Sequence, residues 1–200
     1  MKVIGITGGV GSGKSEVLNY MEAHFDARIV QADDVDHLLT QPGGICYQKE
    51  IELFGKDILK KDGSIDRSRI AEIVFHDKDK LKQLNAIVHP AVKDYIVKEL
   101  EKARKENYEF FFIEAALLLE DDYKGMCDEV WYVYCEEEVR RERLKKSRGY
   151  SDEKISSMMA NQLPEQVFEE NCDFQLYNSE DVAHTYLQIE RRIRSYYETL

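Results

Sequence analysis

The chain has 200 residues, of which 43% are hydrophobic, and its formal net charge is −11. A chain of this size and composition buries a core without disulfides or structural metals. The acidic balance argues against nucleic acid and anionic membranes as partners, because both favour a basic surface.

Cysteine spacing and hydropathy indicate the compartment. The four cysteines, at positions 46, 127, 135 and 172, include no C-x-x-C pair, which disfavours zinc binding. No apolar run reaches the roughly 18 residues that cross a bilayer, and no basic-then-apolar leader precedes the first predicted strand. We therefore expect a cytoplasmic enzyme, monomeric or forming a small homo-oligomer.

The first 25 residues predict a strand, a glycine loop and a helix. Val3 to Thr7 is a short apolar run, Gly8 to Ser15 reads G-G-V-G-S-G-K-S, and Lys14 to Phe25 has helical spacing of its apolar residues. The loop fits the phosphate-binding pattern G-x-x-x-x-G-K-[ST] in the strand-to-helix context that the pattern requires. The alternative is a glycine-rich turn that only caps a helix.

The chemistry of this loop assigns roles to its residues. Backbone N–H groups of Gly11, Ser12 and Gly13 converge on phosphate oxygens, helped by the positive end of the following helix. Lys14 reaches the outer phosphates, and the Ser15 hydroxyl ligates Mg²⁺. We therefore predict binding of a nucleoside triphosphate with Mg²⁺, while the loop leaves the phosphate acceptor open.

A helical segment separates the second predicted strand from the third. The second strand spans Arg28 to Ala32 and ends at Asp33; residues 35–104 then have helical spacing without a convincing strand. Asp66 is placed to cap a helix, and Pro90 begins or bends a later one. The remaining strands are predicted at 110–113, 129–134 and 173–177, with a closing helix at 182–197. Alternating strands and helices indicate a doubly wound parallel sheet.

Three further features are open to two interpretations each. Asp33, at the end of a parallel strand, either holds a substrate hydroxyl or caps the next helix, as Asp34 also could. The basic stretch from Arg140 to Tyr150 is either a lid over phosphates or a solvated helix face paired with acids. His89, before a proline, either contacts a substrate or is structural. Glu114, which closes the third strand, is a less specific candidate acid.

Together these motifs resemble the dephospho-CoA kinase family over nearly the whole chain. The matching segments are T-G-G-x-G-S-G-K-S at 7–15, A-D at 32–33, "FGKDILKKDGSIDRSRIAEIVF" at 54–75, "LNAIVHP" at 84–90, "AALLLE" at 115–120 and "QLP" at 162–164. The resemblance implies a P-loop kinase-type doubly wound parallel sheet of about five strands, with a helical acceptor-binding insertion and a basic helical lid. It implies a nucleotide-binding core at 1–34 and 106–200, a lid at about 140–168, and an acceptor-binding subdomain at 35–105.

The resemblance also implies an activity and site residues. ATP would phosphorylate the ribose 3′-hydroxyl of dephospho-CoA with the help of Mg²⁺. Asp33 would hold the acceptor hydroxyl, and His89, Leu117 and Leu118 would contribute to the acceptor site. Arg143 would act in catalysis from the lid. Glu16 and Arg148 would join the loop in binding ATP.

The chain departs from the family pattern at several positions. Met158 and Phe168 stand where the family usually has an arginine and a lysine, Arg140 replaces a common glutamine, and Glu16 replaces a common threonine. Two alternatives to the leading hypothesis therefore stay open at this point. One is a nucleoside or nucleotide kinase of similar fold, and the other is a nucleotide-binding regulatory protein with weak or lost transfer.

Overall fold

The fold was analysed in a computed structural model that describes residues 1–120 and 123–198. The chain divides into two compact units. The first comprises residues 1–29 and 107–200, and the second comprises residues 30–106. We call them the phosphate-loop unit and the helical unit.

A five-stranded sheet in the order β2-β3-β1-β4-β5 organises the phosphate-loop unit. The strands are β1 (Lys2–Thr7), β2 (Ala27–Gln31), β3 (Phe110–Glu114), β4 (Glu129–Tyr134) and β5 (Phe174–Tyr177). β1 lies at the centre and pairs in parallel with β3 and β4, and β4 pairs in parallel with β5. The predicted sheet of about five strands is confirmed. Because parallel strands end at the same edge, the loop after β1 and the segments after β3, β4 and β5 begin there.

Helices connect these strands and build the helical unit. In the phosphate-loop unit they are α1 (Lys14–His24), α6 (Glu137–Arg148), α7 (Asp152–Ala160), α8 (Glu165–Asn171) and α9 (Val182–Glu198). In the helical unit they are α2 (Ala32–Leu39), α3 (Tyr47–Phe54), α4 (Arg67–His76) and α5 (Lys78–Lys105). Short 3₁₀ turns occur at Lys56–Ile58 and Lys124–Met126. Within the two described ranges, no helix is long and apolar enough to span a membrane.

The core of the phosphate-loop unit lies between the sheet and the helices α1 and α9. Large side chains of the central strands, including Phe112 and Trp131, are fully buried, and Met21 of α1 and Ile189 of α9 pack in the same cluster. Dense packing of this kind holds the strand ends in fixed positions. The loop that follows β1 is therefore attached to a buried strand of this core.

The helical unit has its own small core and confirms one predicted cap. Ile58, Ile65 and Ile70 form a buried cluster, and the Asp66 side chain accepts hydrogen bonds from the backbone N–H groups of Ser68 and Arg69 at the start of α4. Pro90 lies inside α5 and does not begin a helix. A proline there removes one backbone hydrogen bond of the helix.

Candidate active site

Three positions of the phosphate loop require glycine, because of their backbone conformation or the lack of space for a side chain. Gly8, Gly11 and Gly13 have φ angles of 151°, 78° and 92°, which side chains disfavour. A Cβ atom on Gly8 would lie 2.5 Å from the carbonyl oxygen of Val133, and one on Gly13 would lie 2.2 Å from Asn178 Nδ2. The loop is therefore packed tightly between the ends of β4 and β5.

Lys14 is held over the loop by two partners. Its Nζ donates a hydrogen bond to the carbonyl oxygen of Gly8 at 2.9 Å and lies 3.7 Å from Glu114 Oε1. Glu114 ends β3 and is only 7% exposed. The sequence marked Glu114 only as a less specific acid, whereas the structure places its carboxylate beside the loop lysine. Phosphate oxygens are the natural ligands of an ammonium group held in this way.

Asn178 anchors the middle of the loop. Its Nδ2 donates to the carbonyl oxygen of Ser12 at 2.7 Å, and the Thr185 hydroxyl donates to Asn178 Oδ1 at 2.8 Å. All three residues are buried. Asn178 was not predicted as a site residue. Its position directly after β5 could have indicated it, because functional residues of parallel sheets lie at the carboxyl ends of the strands.

Arg143 of α6 approaches the same part of the loop. Its Nη1 lies 3.5 Å from the carbonyl oxygen of Ser12 and 3.4 Å from Cys135 Sγ. The predicted position of Arg143 near the loop therefore agrees with the geometry, and its role in transfer stays a prediction. Burial raises the pKa of the Cys135 thiol, although the Arg143 charge opposes this. The thiol is neutral near pH 7 and is no candidate nucleophile.

Arg140, one helical turn before Arg143, lies at the other end of the loop. A Cβ atom on Gly9 would lie 2.1 Å from Arg140 Nη1. Nearby, the Val10 N–H donates to Gln162 Oε1 at 3.0 Å. Gly9, Arg140 and Gln162 line a cavity of about 310 Å³ together with residues of β4, α6, α7 and α8. The sequence placed Arg140 only within the candidate lid, and it gave Gln162 no role beyond the matching Q-L-P segment.

Phe168 has become part of the core. It is 4% exposed, and its ring stacks on Tyr132 with centroids 4.9 Å apart and planes 9° apart. An aromatic wall therefore stands where the family pattern usually has a lysine. Met158, the other departure, is partly exposed in α7.

Two residues predicted to bind ATP have other partners in the structure. The hydroxyl of Tyr186 donates a hydrogen bond to Glu16 Oε1. The Arg148 guanidinium lies 6.0 Å from the centre of the Tyr150 ring, and its residue is exposed near the end of α6. ATP binding by Glu16 and Arg148 therefore stays a prediction.

Asp33 belongs to the first turn of α2 in the helical unit. The strand before it ends at Gln31, one residue before the predicted last residue Ala32, and Gln31 is the N-cap residue of α2. Asp33 is exposed, and Asp34 accepts a hydrogen bond from the Gln31 side chain at 3.1 Å. Asp33 is thus not the N-cap residue of α2, so the prediction that it caps this helix is wrong. A carboxylate in a first turn still interacts favourably with the helix dipole.

The other residues predicted to contact the acceptor differ in exposure. His89 is partly exposed in α5. Leu117 is 46% exposed, whereas Leu118 is fully buried, with its Cδ1 2.9 Å from where a Cβ on Gly5 would lie. Leu118 therefore packs against β1 and supports its segment, and an acceptor-lining role stays a prediction for Leu117 and His89.

The donor groups beside the loop fit Mg²⁺. Ser15 is exposed at the start of α1, and the Glu114 carboxylate lies beside Lys14. Within residues 1–120 and 123–198, no group of three or more His, Cys, Asp or Glu side chains is arranged to hold a metal. Proteins usually bind Mg²⁺ through one or two side chains plus substrate phosphates.

The class of protein follows from this geometry. A phosphate loop follows the central strand of a parallel sheet, a lysine is held over it, and arginines from a later helix approach its first residues and its middle. This arrangement defines a nucleotide-binding protein of the P-loop kinase type.

Comparison with known proteins identifies the family. The family profile of dephospho-CoA kinase matches residues 2–184. A dephospho-CoA kinase of Carboxydothermus hydrogenoformans is 34% identical over 189 residues, covering 94% of this chain and 91% of the relative. The chain belongs to the dephospho-CoA kinase family.

Two solved structures show the same fold. A crystal structure of TT1252 from Thermus thermophilus has a TM-score of 0.84 at 25% identity, covering 97% of both chains. A dephospho-CoA kinase from Campylobacter jejuni has a TM-score of 0.72 at 25% identity, covering 97% of this chain and 96% of the other. The predicted P-loop kinase-type fold is confirmed.

Proposed function

We propose that this kinase transfers the γ-phosphoryl group of ATP to the ribose 3′-hydroxyl of dephospho-CoA, which yields coenzyme A and ADP. The observation that carries the proposal is the family match over nearly the whole chain, supported by an intact phosphate loop with Lys14 held above it. The bond that forms joins the 3′-oxygen to the γ-phosphorus. The bond that breaks joins the γ-phosphorus to the oxygen bridging it to the β-phosphate.

The loop residues would stabilise the donor. Backbone N–H groups from Gly11 to Gly13 would bind the phosphates, and Lys14 would neutralise charge on the β- and γ-phosphate oxygens. Gly8 and Glu114 keep the Lys14 ammonium group in place before a nucleotide arrives. Preorganised charge of this kind acts on the transition state without a reorganisation cost.

Ser15 would hold Mg²⁺, with Glu114 as an additional carboxylate close to the loop. The chemistry that Mg²⁺ would supply there is neutralisation of the negative charge that develops on the phosphates during transfer. Removal of divalent cations with EDTA should abolish transfer, and added Mg²⁺ should restore it. Transfer that persists in EDTA would contradict this part of the proposal.

Asp33 would receive the acceptor. Its exposed carboxylate would accept a hydrogen bond from the 3′-hydroxyl and take its proton as the new bond forms. Phosphoryl transfer passes through a loose transition state, so positioning contributes more than base strength. His89 and Leu117 would contribute to acceptor binding, and Arg143 would stabilise charge on the transferring group.

The partners of the reaction would be small molecules. ATP and dephospho-CoA are the proposed substrates, and the net charge of −11 disfavours binding of nucleic acid. We expect a monomer, with a small homo-oligomer as the alternative. Light scattering coupled to size-exclusion chromatography distinguishes the two.

The decisive experiment is a direct assay. Purified protein is incubated with ATP, Mg²⁺ and dephospho-CoA, and coenzyme A and ADP are quantified by chromatography. Nucleosides and nucleotides are tested as acceptors in parallel. Phosphorylation of a nucleoside or nucleotide in place of dephospho-CoA would overturn the proposed acceptor. ATP binding without transfer to any acceptor would favour a regulatory nucleotide-binding protein.

A further inference from the structure

Buried polar atoms without a partner are concentrated around the phosphate loop. Among residues 1–120 and 123–198, three buried side-chain nitrogen or oxygen atoms have no hydrogen-bond partner: Thr7 Oγ1, Ser12 Oγ and Arg140 Nε. Thr7 and Ser12 flank or belong to the loop itself. An unsatisfied buried polar group requires an explanation, and a ligand that is absent from the structure is one. Arg140 is the charged member of this set.

The position of Arg140 differs from that of Arg143. Arg143 Nη1 approaches the carbonyl oxygen of Ser12, in the second half of the loop. Arg140 Nη1 lies where a side chain on Gly9 would begin, in the first half of the loop. Two guanidinium groups from successive turns of α6 therefore approach opposite halves of the loop.

Among the described residues, the lining of the cavity beside Gly9 includes one basic and two acidic side chains. Arg140 is the only basic residue among the described residues that line it. The two acids that line it are Glu137 and Glu165. Glu137 accepts a hydrogen bond from Arg141 Nε at 2.8 Å, so its charge is already compensated. The Tyr132–Phe168 stack forms an apolar wall, which lowers the local dielectric and strengthens an ion pair with the guanidinium.

We propose that Arg140 binds a phosphate group of a substrate in the cavity beside Gly9. The proposal rests on the proposed function and deepens it by adding a phosphate-binding residue. A guanidinium group presents a planar set of N–H donors that matches two phosphate oxygens, and Nε–H is one of the donors used in this geometry. Phosphate binding would satisfy the orphaned Nε once the guanidinium group turns to face the bound phosphate. The Arg140 guanidinium would also provide positive charge in a cavity where Phe168 replaces the lysine that is usual in the family.

The phosphate group that Arg140 binds would belong to one of two substrates: it is either the terminal phosphate of ATP or part of the diphosphate of dephospho-CoA. Equilibrium dissociation constants separate them, because they do not require turnover. ATP, ADP and dephospho-CoA are each titrated calorimetrically into the wild-type enzyme, Arg140→Gln and Arg140→Lys. Lys146→Gln is the matched control, since it removes one positive charge from an exposed position of the same helix.

We expect Arg140→Gln to weaken binding of at least one phosphate-bearing ligand tenfold or more. Loss of affinity for ATP but not for ADP assigns Arg140 to the terminal phosphate. Loss of affinity for dephospho-CoA alone assigns it to the acceptor. Arg140→Lys should recover part of the affinity, because it keeps the charge but loses the planar donor set. Lys146→Gln should bind all three ligands within twofold of the wild type.

A second variant tests the position independently of the charge. Gly9→Ala places a methyl group where Arg140 Nη1 lies, so the guanidinium must move away. We expect Gly9→Ala to weaken the same ligand as Arg140→Gln. In the Arg140→Gln background, Gly9→Ala should cause a smaller further loss of affinity for that ligand than it causes in the wild type.

The proposal is overturned if Arg140→Gln binds all three ligands within twofold of the wild type, since Arg140 is then structural. It is also overturned if affinity for all three ligands falls only in step with a lower melting temperature. Failure of the proposed function looks different. In that case wild-type enzyme transfers no phosphoryl group to dephospho-CoA, while Arg140→Gln still weakens binding of ATP.

Discussion

The two units of this protein bury a glutamate in opposite ways. Glu129, at the start of β4 in the phosphate-loop unit, is surrounded by donors: Trp131 Nε1 at 2.8 Å, Arg192 Nη2 at 2.6 Å and the Tyr196 hydroxyl at 2.8 Å. Lys2 Nζ lies 3.5 Å away. Such a charge is stable in the interior because its oxygens are all used.

Glu50, in α3 of the helical unit, has a less favourable setting. It is 3% exposed, and burial, with a smaller contribution from the charge of Asp36, raises its pKa from 4.5 to about 7. Arg67 lowers the pKa again, but its guanidinium is engaged with Asp36 at 3.0 Å and with the Thr40 hydroxyl at 2.9 Å. The comparison indicates that a buried glutamate is stabilised where several donors surround it, as at Glu129, whereas burial with few donors raises the pKa, as at Glu50.

The largest effect on activity is expected from removing the Lys14 ammonium group, which is proposed to contact the phosphates of ATP. Lys14→Ala removes the ammonium group that Gly8 and Glu114 keep over the loop. We expect kcat for transfer to dephospho-CoA to fall by about a thousandfold or more, since an electrostatic contact with developing charge is lost. The assay is steady-state kinetics with ADP readout. An unchanged melting temperature shows that the fold survived, and near-normal turnover would contradict the role of Lys14.

The next effect tests an exposed charge of the helical unit. Asp33→Asn keeps the shape of the side chain but removes its charge and its ability to accept a proton. We expect kcat to fall by about a hundredfold while the dissociation constant for ATP stays within twofold of the wild type. Asp34→Asn is the matched control, since Asp34 is the exposed neighbour that bonds Gln31. Equal activity of Asp33→Asn and the wild type would leave Asp33 with a role in helix stability alone.

Breaking the held glutamate should cost stability. Glu129→Gln removes the charge that faces Arg192 and replaces one acceptor oxygen with an amide group. We expect the free energy of unfolding to fall by about 3 kcal/mol, the usual cost when one partner of a buried ion pair is removed. Urea denaturation followed by circular dichroism measures the change. A loss below about 0.5 kcal/mol would mean that the donors around Glu129 contribute little.

The smallest effect has the opposite sign. The raised pKa of Glu50 means that the folded chain keeps a proton there that the unfolded chain has already lost between pH 4.5 and about 7. The contribution of Glu50 to the free energy of unfolding of the wild type therefore falls as pH rises through that window and is lowest above about pH 7. Glu50→Gln should remove this dependence and raise the free energy of unfolding by about 1–3 kcal/mol at pH 8. Near pH 4.5 the two proteins should be nearly equal.

Stability is compared at pH 5 and pH 8 by urea denaturation. Hydrogen exchange of the α3 amides reports whether the gain is local to the helical unit. A destabilised Glu50→Gln at pH 8 would show that the ionised carboxylate makes favourable contacts and would remove the contrast with Glu129.

Local patterns predicted most of the fold. The strand, loop and helix at residues 3–25 were recognisable because a glycine motif between an apolar run and a helical pattern has few other solutions. Asp66 was recognisable as a cap because capping depends on neighbours only three residues away. The end of β2 was predicted one residue late, since Ala32 suits the end of a strand and the start of a helix equally well.

The site was predicted less completely, for a physical reason. Gly11 to Ser15 are contiguous, so one motif contains them. Asn178 and Gln162 bond to the loop from more than 150 positions away in the chain. No local pattern connects them to it. Leu118 and Phe168 show the same limit, since an apolar side chain near a site has identical local signals whether it lines the site or fills the core.

The sequence by itself determined the class of chemistry, the order of strands and helices along the chain, and the family, because these depend on motifs and periodicities that are local. The tertiary structure decided which distant side chains complete the loop and which charges are compensated. It gave Lys14, the carbonyl oxygen of Ser12 and the carboxylate of Glu129 their partners. It left Thr7 Oγ1, Ser12 Oγ and Arg140 Nε without one among the described residues. Those outcomes depend on the distances between side chains from different strands and helices, and packing sets these distances only when the chain folds.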